Sequence, residues 1–204
     1  KKEWELREKS QKDSLTGLLN NSTIKQQIGA RLQSLKRGQT GYLVVQDVDS
    51  FKKINDTNGH LFGDAVLCSF ADELSNIFPE ALKGRIGGDE FVFYVEDMDR
   101  EQLEEKLKQL NRCMSDRYDD DKTGLHISCS LGAAVTDGTV TDYNLLFQWA
   151  DAALYQVKSK GKGAYYLLDV KEGVALPGKS YLDSEENKED EIAHKEAQFE
   201  SAED

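Results

Sequence analysis

The sequence predicts an α/β fold, a mixed central sheet with helices packed on it. Three observations carry this. Apolar runs of strand length, such as Tyr42-Leu43-Val44-Val45, alternate with stretches whose apolar residues recur every three or four positions. Two strand-like segments are joined across Gly87-Gly88-Asp89-Glu90, a hairpin that a purely parallel sheet does not contain. The length of 204 residues suits one ordinary domain with extensions and an ample core.

Taken in order, residues 1–12 alternate charge around Trp4 and Leu6 and read as the end of a stalk helix, expected to be cut from a longer chain. Residues 13–168 are the expected domain. A helix is expected at 22–36, with Ile24, Ile28, Leu32 and Leu35 on one face and Ser22 or Asn21 as N-cap. The buried strand 41–48 follows, ending in Asp47, then a polar loop at 51–64 and a helix at 62–78 carrying Val66, Leu67, Phe70, Leu74 and Ile77. The hairpin spans 84–95. Beyond it come a helix at 100–118, a strand at 125–136, a helix at 142–160 and a last strand at 164–169. Residues 169–204 hold twelve acidic and four basic side chains and no sustained apolar period, which predicts a disordered acidic tail.

That tail carries two-thirds of the formal charge of −12. The acidity excludes a nonspecific nucleic-acid binder and a basic membrane-surface protein, because both need clustered Lys and Arg. Cys68, Cys113 and Cys129 lack metal-ligand spacing and read as reduced thiols, so a cytoplasmic location is expected. No segment reads as a signal peptide or a spanning helix.

Two acidic clusters lie at strand ends: Asp47 with Asp49, and Asp89 with Glu90. On adjacent strands they would repel unless a cation sits between them, and oxygen-only sites select hard cations, Mg²⁺ above all when phosphates complete the shell. Acidic turns are also common without any ligand. Gly87-Gly88 favours a site, since two missing side chains let a ligand approach the backbone. Asn55 and Asp64 offer a donor, an acceptor and a carboxylate to a purine edge, and a carboxylate suits guanine. Lys158, Lys160 and Lys162 end the last long helix, where lysines are favoured anyway; they are also the local phosphate neutralisers an acidic protein needs.

Three motifs fail. Asp47-x-Asp49 begins like a calcium loop, but Phe51, Lys52 and Asn58 stand where a ligand, a glycine and a closing Glu belong. Gly161-Lys162-Gly163 lacks the third glycine of a dinucleotide fingerprint, since Tyr166 stands there. The string from Gly173 to Ser180 has the Walker A pattern, yet the short charged remainder leaves no packed helix and no following strand.

Taken together, five ordered motifs resemble the GGDEF domain family, the diguanylate cyclases. They are Asp13-Ser14-Leu15-Thr16-Gly17-Leu18-Leu19-Asn20; Asp47-Val48-Asp49-Ser50-Phe51-Lys52-Lys53-Ile54-Asn55-Asp56 through Gly59-His60 and Gly63-Asp64; Gly87-Gly88-Asp89-Glu90-Phe91; Ser130-Leu131-Gly132-Ala133-Ala134; and Ala150-Asp151-Ala152-Ala153-Leu154-Tyr155 with Lys158 and Gly161-Lys162. The resemblance implies an α/β (α+β) fold of polymerase-palm or ferredoxin-like type. It implies condensation of two GTP molecules into cyclic di-GMP with release of pyrophosphate, dependent on Mg²⁺ or Mn²⁺. Carried over by position, Asp47, Asp89, Glu90 and the Val48 carbonyl would hold metal, with Glu90 alternatively helping to deprotonate the ribose 3′-hydroxyl. Asn55 and Asp64 would read guanine, and Phe51, Lys52, Lys158 and Lys162 would serve the rest of the GTP. One domain holds one GTP, so the expected partner is a second copy, brought together by an upstream sensor.

Some positions depart from the family pattern. Phe78 and Ala81 stand where many members carry an inhibitory Arg-x-x-Asp site, so that product site is expected to be absent. Asn21 replaces a frequent Arg, and Val157 and Gly163 replace a common Ala and Asn. Asp64 favours two GTPs over a mixed product. The alternative reading is a catalytically silent GTP-binding regulatory module.

Overall fold

The computed structural model describes residues 11–118 and 125–176. Most of the expected stalk helix, most of the expected tail and the end of the Walker-like string lie outside the described residues. Described residues up to Val174 form one compact unit.

The elements are α1 (Asn21–Ser34), β1 (Gly41–Val48), α2 (Phe51–Asn58), α3 (His60–Ile77), β2 (Leu82–Arg85), β3 (Glu90–Glu96), α4 (Arg100–Tyr118), β4 (Cys129–Thr136), α5 (Tyr143–Ser159) and β5 (Tyr165–Asp169). The strands form one mixed sheet in the order β2-β3-β1-β4-β5, with β4 and β5 parallel and every other pair antiparallel. The α/β fold class and its embedded hairpin are as expected. Among the described residues no helix is long and apolar enough to cross a membrane.

β1 is central and buried along its whole length, as its apolar run requires. Alternation sends its side chains to two layers. Tyr42, Val44 and Val48 join Phe70 and Leu74 of α3, Leu107 and Leu110 of α4, and Phe91 and Phe93 of β3 in one core. Val45 lies opposite Gly132 of β4 and shares its face. A Cβ at Gly132 would lie 2.1 Å from the Ala150 carbonyl oxygen, so this glycine lets α5 settle against the sheet. Asp47, two residues after Val45, therefore points to the α5 side.

Several boundaries differ from expectation. Asn20, rather than Ser22 or Asn21, caps α1: its Oδ1 accepts from the Thr23 amide at 3.1 Å. β4 begins at Cys129, with only an isolated bridge at Leu125. The largest correction is at 51–64, which is not a loop but α2 and the start of α3, joined at Gly59 with φ 85°. Asn55, Asp56, Thr57 and Asn58 are weak helix formers. Tertiary packing overrides them: Ile54 is buried, and Phe51, one turn earlier, packs on the core. Asp64 consequently sits in the second turn of α3, whereas a helix beginning at 62 would put it in the first.

Candidate active site

The C-terminal end of β1 meets the hairpin turn. Asp47 is paired across the ladder with Glu90 of β3 and with Ser130 of β4. The Val48 amide donates to the Asp89 carbonyl at 3.2 Å. The two acidic clusters thus occupy one edge of the sheet. On the α5 side, Lys158 Nζ lies 2.8 Å from Asp47 Oδ2. Burial pushes the Asp47 carboxyl up to about 6, with the Lys158 ammonium opposing the rise and the charges of Asp89 and Asp49 adding to it. Lys162, just past α5, donates to the Ser50 hydroxyl at 3.2 Å, so two of the expected phosphate lysines, Lys158 and Lys162, converge on this edge.

The turn itself is braced. Arg85 donates from Nε and Nη2 to the Gly88 carbonyl at 3.1 and 2.6 Å. Its Nη1 reaches both Asp13 oxygens at 3.2 and 3.3 Å. Burial alone would raise the Asp13 carboxyl, but Thr16, through hydroxyl and amide, and Arg85 hold it below its usual range. The opening motif is tied to the turn in a second way: the Arg85 amide donates to the Leu19 carbonyl at 2.9 Å, and the Leu19 amide to the Lys83 carbonyl at 3.1 Å. The two glycines of the turn differ. A Cβ at Gly87 would lie 2.6 Å from Glu90 Oε2, so the Glu90 carboxylate fills that space; at Gly88 the space is open.

Asn55 and Asp64 belong to a second group, set by α2 and α3. A Cβ at Gly63 would fall 1.9 Å from Asn55 Oδ1 and 3.1 Å from the Phe51 ring. That oxygen is buried and has no hydrogen-bond partner within the protein, which leaves an acceptor against Gly63, the residue before Asp64. Lys52 is exposed in the first turn of α2.

Asp49 departs most from expectation. It lies past the end of β1, buried, and accepts from Ser128 Oγ at 2.6 Å, Ser130 Oγ at 2.7 Å and the Gly163 amide at 3.0 Å. It is an anchor between segments, not a member of an open acidic cluster. At the expected inhibitory positions, Phe78 is buried with its ring 4.9 Å from that of Phe93, and its carbonyl accepts from Lys83 Nζ at 2.8 Å. Ala81 offers no polar group. Sequence reasoning passed over Ser50 and Arg85; an arginine two residues before the turn was the available signal for the second.

The family model for the diguanylate cyclase GGDEF domain matches residues 10–164. The chain belongs to this family. It is 35% identical over 159 residues to the diguanylate cyclase DgcS of Shewanella oneidensis, covering 76% of this chain and 52% of the relative. It is 30% identical over 154 residues to the cyclic di-GMP phosphodiesterase PdeR of Escherichia coli, covering 75% of this chain and 23% of that protein. The coiled coil and GGDEF domain of DgcB from Caulobacter crescentus, solved in complex with c-di-GMP, superposes with a TM-score of 0.73 at 25% identity, covering 82% of this chain and 90% of that one. The chain spans about a quarter to a half of the length of the curated relatives it matches.

The metal that this GGDEF family implies fits the residues present. Among the described residues no group of three or more His, Cys, Asp or Glu could hold an ion alone. The donors at the β1–turn edge are hard oxygens: the carboxylates of Asp47, Asp89 and Glu90 and the Val48 carbonyl. Mg²⁺ is bound in this way, by one or two carboxylates with phosphate oxygens and water completing its shell. The ammonium on Asp47 marks the same demand for positive charge.

Proposed function

We propose that this GGDEF domain condenses two GTP molecules into cyclic di-GMP and pyrophosphate, with two copies meeting face to face. The observation that supports this best is the pairing of Asp47 with Glu90 across the ladder, which gathers the acidic groups at one sheet edge. Asp47, Asp89, Glu90 and the Val48 carbonyl would hold Mg²⁺ or Mn²⁺. When bound, that ion lowers the pKa of a hydroxyl and offsets charge on the triphosphate.

The chain's own groups do the rest. Asn55 Oδ1 accepts from a guanine donor, and the Asp64 carboxylate takes the other donors of that edge. Lys52, Lys158 and Lys162 neutralise the triphosphate, whose charge grows on the leaving pyrophosphate. Phe51 closes the site from the first turn of α2. Glu90, at the rim of the turn, accepts the proton of the ribose 3′-hydroxyl as that oxygen attacks the α-phosphorus. A carboxylate is a weak base for this proton, so the hydroxyl must be acidified at the same edge.

The test is chromatography of a reaction containing the dimerised chain, GTP and Mg²⁺. Cyclic di-GMP formation, lost in Asp89→Asn, is the expected result. Binding of a non-hydrolysable GTP analogue without any product at high protein concentration would sink the enzymatic reading and leave a GTP-binding regulatory module, in keeping with a phosphodiesterase among the relatives.

A further inference from the structure

The turn after α5 has an unusual backbone. Lys162 has φ 67° and Gly163 φ 62°, two consecutive left-handed residues, the first with a side chain. Such a conformation costs free energy and persists only where surroundings impose it. Here the surroundings are identifiable. The Gly163 amide donates to Asp49 Oδ2 at 3.0 Å and to Ser130 Oγ at 3.2 Å. Both carboxylate oxygens of Asp49 are used: Oδ1 by Ser130 and Oδ2 by Ser128 and Gly163. The Asp49 amide also donates to the Ser128 carbonyl at 2.9 Å. One buried side chain therefore joins the end of β1, the entry to β4 and the turn that carries Lys162. From that turn Lys162 reaches Ser50, the next residue after Asp49, itself left-handed at φ 57°.

We propose that Asp49 is a positioning residue for the triphosphate of the nucleotide. It holds the 161–163 turn so that the Lys162 ammonium stands beside the start of α2. It touches neither substrate nor metal and acts through Lys162. This rests on the reading of Lys162 as a phosphate contact.

Charge gives the idea a sharp sign. Asp49 is an anion close to a site for a highly anionic ligand, so by Coulomb repulsion alone its neutralisation strengthens triphosphate binding. As a clamp, its neutralisation weakens binding. An asparagine supplies one acceptor oxygen where the carboxylate supplies two, so it cannot serve all three donors.

The experiment is calorimetry of the full chain with a non-hydrolysable GTP analogue and Mg²⁺, and separately with guanosine, for wild type, Asp49→Asn, Lys162→Ala and the double variant. Asp49→Asn is expected to weaken the triphosphate by about tenfold, the loss of a charged hydrogen bond, and to leave guanosine unchanged. In the Lys162→Ala background it is expected to cost nothing further. Ser128→Ala, which removes one donor, is expected to give a smaller loss of the same kind and serves if Asp49→Asn does not fold. Tighter triphosphate binding, equal loss of guanosine, or losses that multiply in the double variant would overturn the clamp. If wild type binds no GTP analogue, the functional reading fails first. Hydrogen exchange then decides: faster exchange of the Gly163 amide in Asp49→Asn upholds the clamp itself, and unchanged exchange overturns it.

Discussion

Lys158 Nζ lies 2.8 Å from Asp47 Oδ2, an ion pair between the last turn of α5 and the end of the central strand. Lys158 is about a third exposed and Asp47 is nearly buried. A cation binding at Asp47 must compete with this ammonium, whereas a nucleotide triphosphate would draw the ammonium to itself. Lys158→Met is therefore expected to raise affinity for Mn²⁺ alone and to weaken the Mn²⁺–GTP complex, each by about tenfold or more. Free Mn²⁺ followed by its paramagnetic resonance gives the first quantity and calorimetry the second. Unchanged Mn²⁺ affinity would remove the competition from the account.

The raised Asp47 carboxyl gives a pH signature in the metal-free protein. Its folded value of about 6 exceeds the ordinary aspartate value of 3.8. The folded state thus holds this proton more tightly, and stability falls as pH rises through the window between those values. The contribution is present below pH 4 and lost above pH 6, on the order of 3 kcal/mol in all. In thermal melts between pH 4 and 7, the wild type should lose stability relative to Asp47→Asn by that amount as pH rises. Parallel curves would show that Asp47 does not titrate in this range.

Arg85 supplies a contrast in ion-pair strength. Its pair with Asp13 is largely shielded, at 16% and 22% side-chain exposure, and the same guanidinium holds the Gly88 carbonyl. Removing it leaves the Asp13 carboxylate and the Gly88 carbonyl short of donors. Arg85→Met is expected to cost about 1–3 kcal/mol and several degrees of Tm, and to loosen the turn that carries Asp89 and Glu90. The Arg37–Glu172 pair, three-quarters exposed on both sides, predicts no measurable shift for Arg37→Met. Calorimetric melts of the two variants check both statements.

What the sequence made legible follows its physics. The strand at 41–48 announces itself by its unbroken apolar run and the helices at 60–77 and 100–118 by period, because burial on both faces or one dictates residue type directly. The candidate site residues were legible as carboxylates at strand ends with lysines at the end of a helix. The role of Asp49 was not: alternation places it on the face of Asp47, where the structure has it, but the three donors that bury it, Ser128, Ser130 and Gly163, come from segments 79 or more residues away. The 51–58 helix was hidden because its residues disfavour helices and its stability comes from Phe51 and Ile54 packing on distant elements. The Arg85–Asp13 tie spans 72 residues of sequence and leaves no local trace.

Guanine reading can be separated from chemistry through Gly63. Its backbone is so close to Asn55 that an added Cβ would stand 1.9 Å from Oδ1 and 3.1 Å from the Phe51 ring. Gly63→Ala must push Asn55 aside or shift α2 against α3, while Asp47, Asp89 and Lys158 belong to other elements. If Asn55 Oδ1 recognises the base, the variant loses affinity for the GTP analogue by about tenfold, a lost hydrogen bond within a polar pocket, and loses most of its preference for GTP over ATP. Asn55→Ala should reproduce that loss, and Gly63→Ala should add little to it, since both remove the same oxygen from the same place. Competition binding of the two nucleotides, with circular dichroism to confirm the fold, provides the measurement. Retained discrimination in both variants would move the base-reading role away from Asn55.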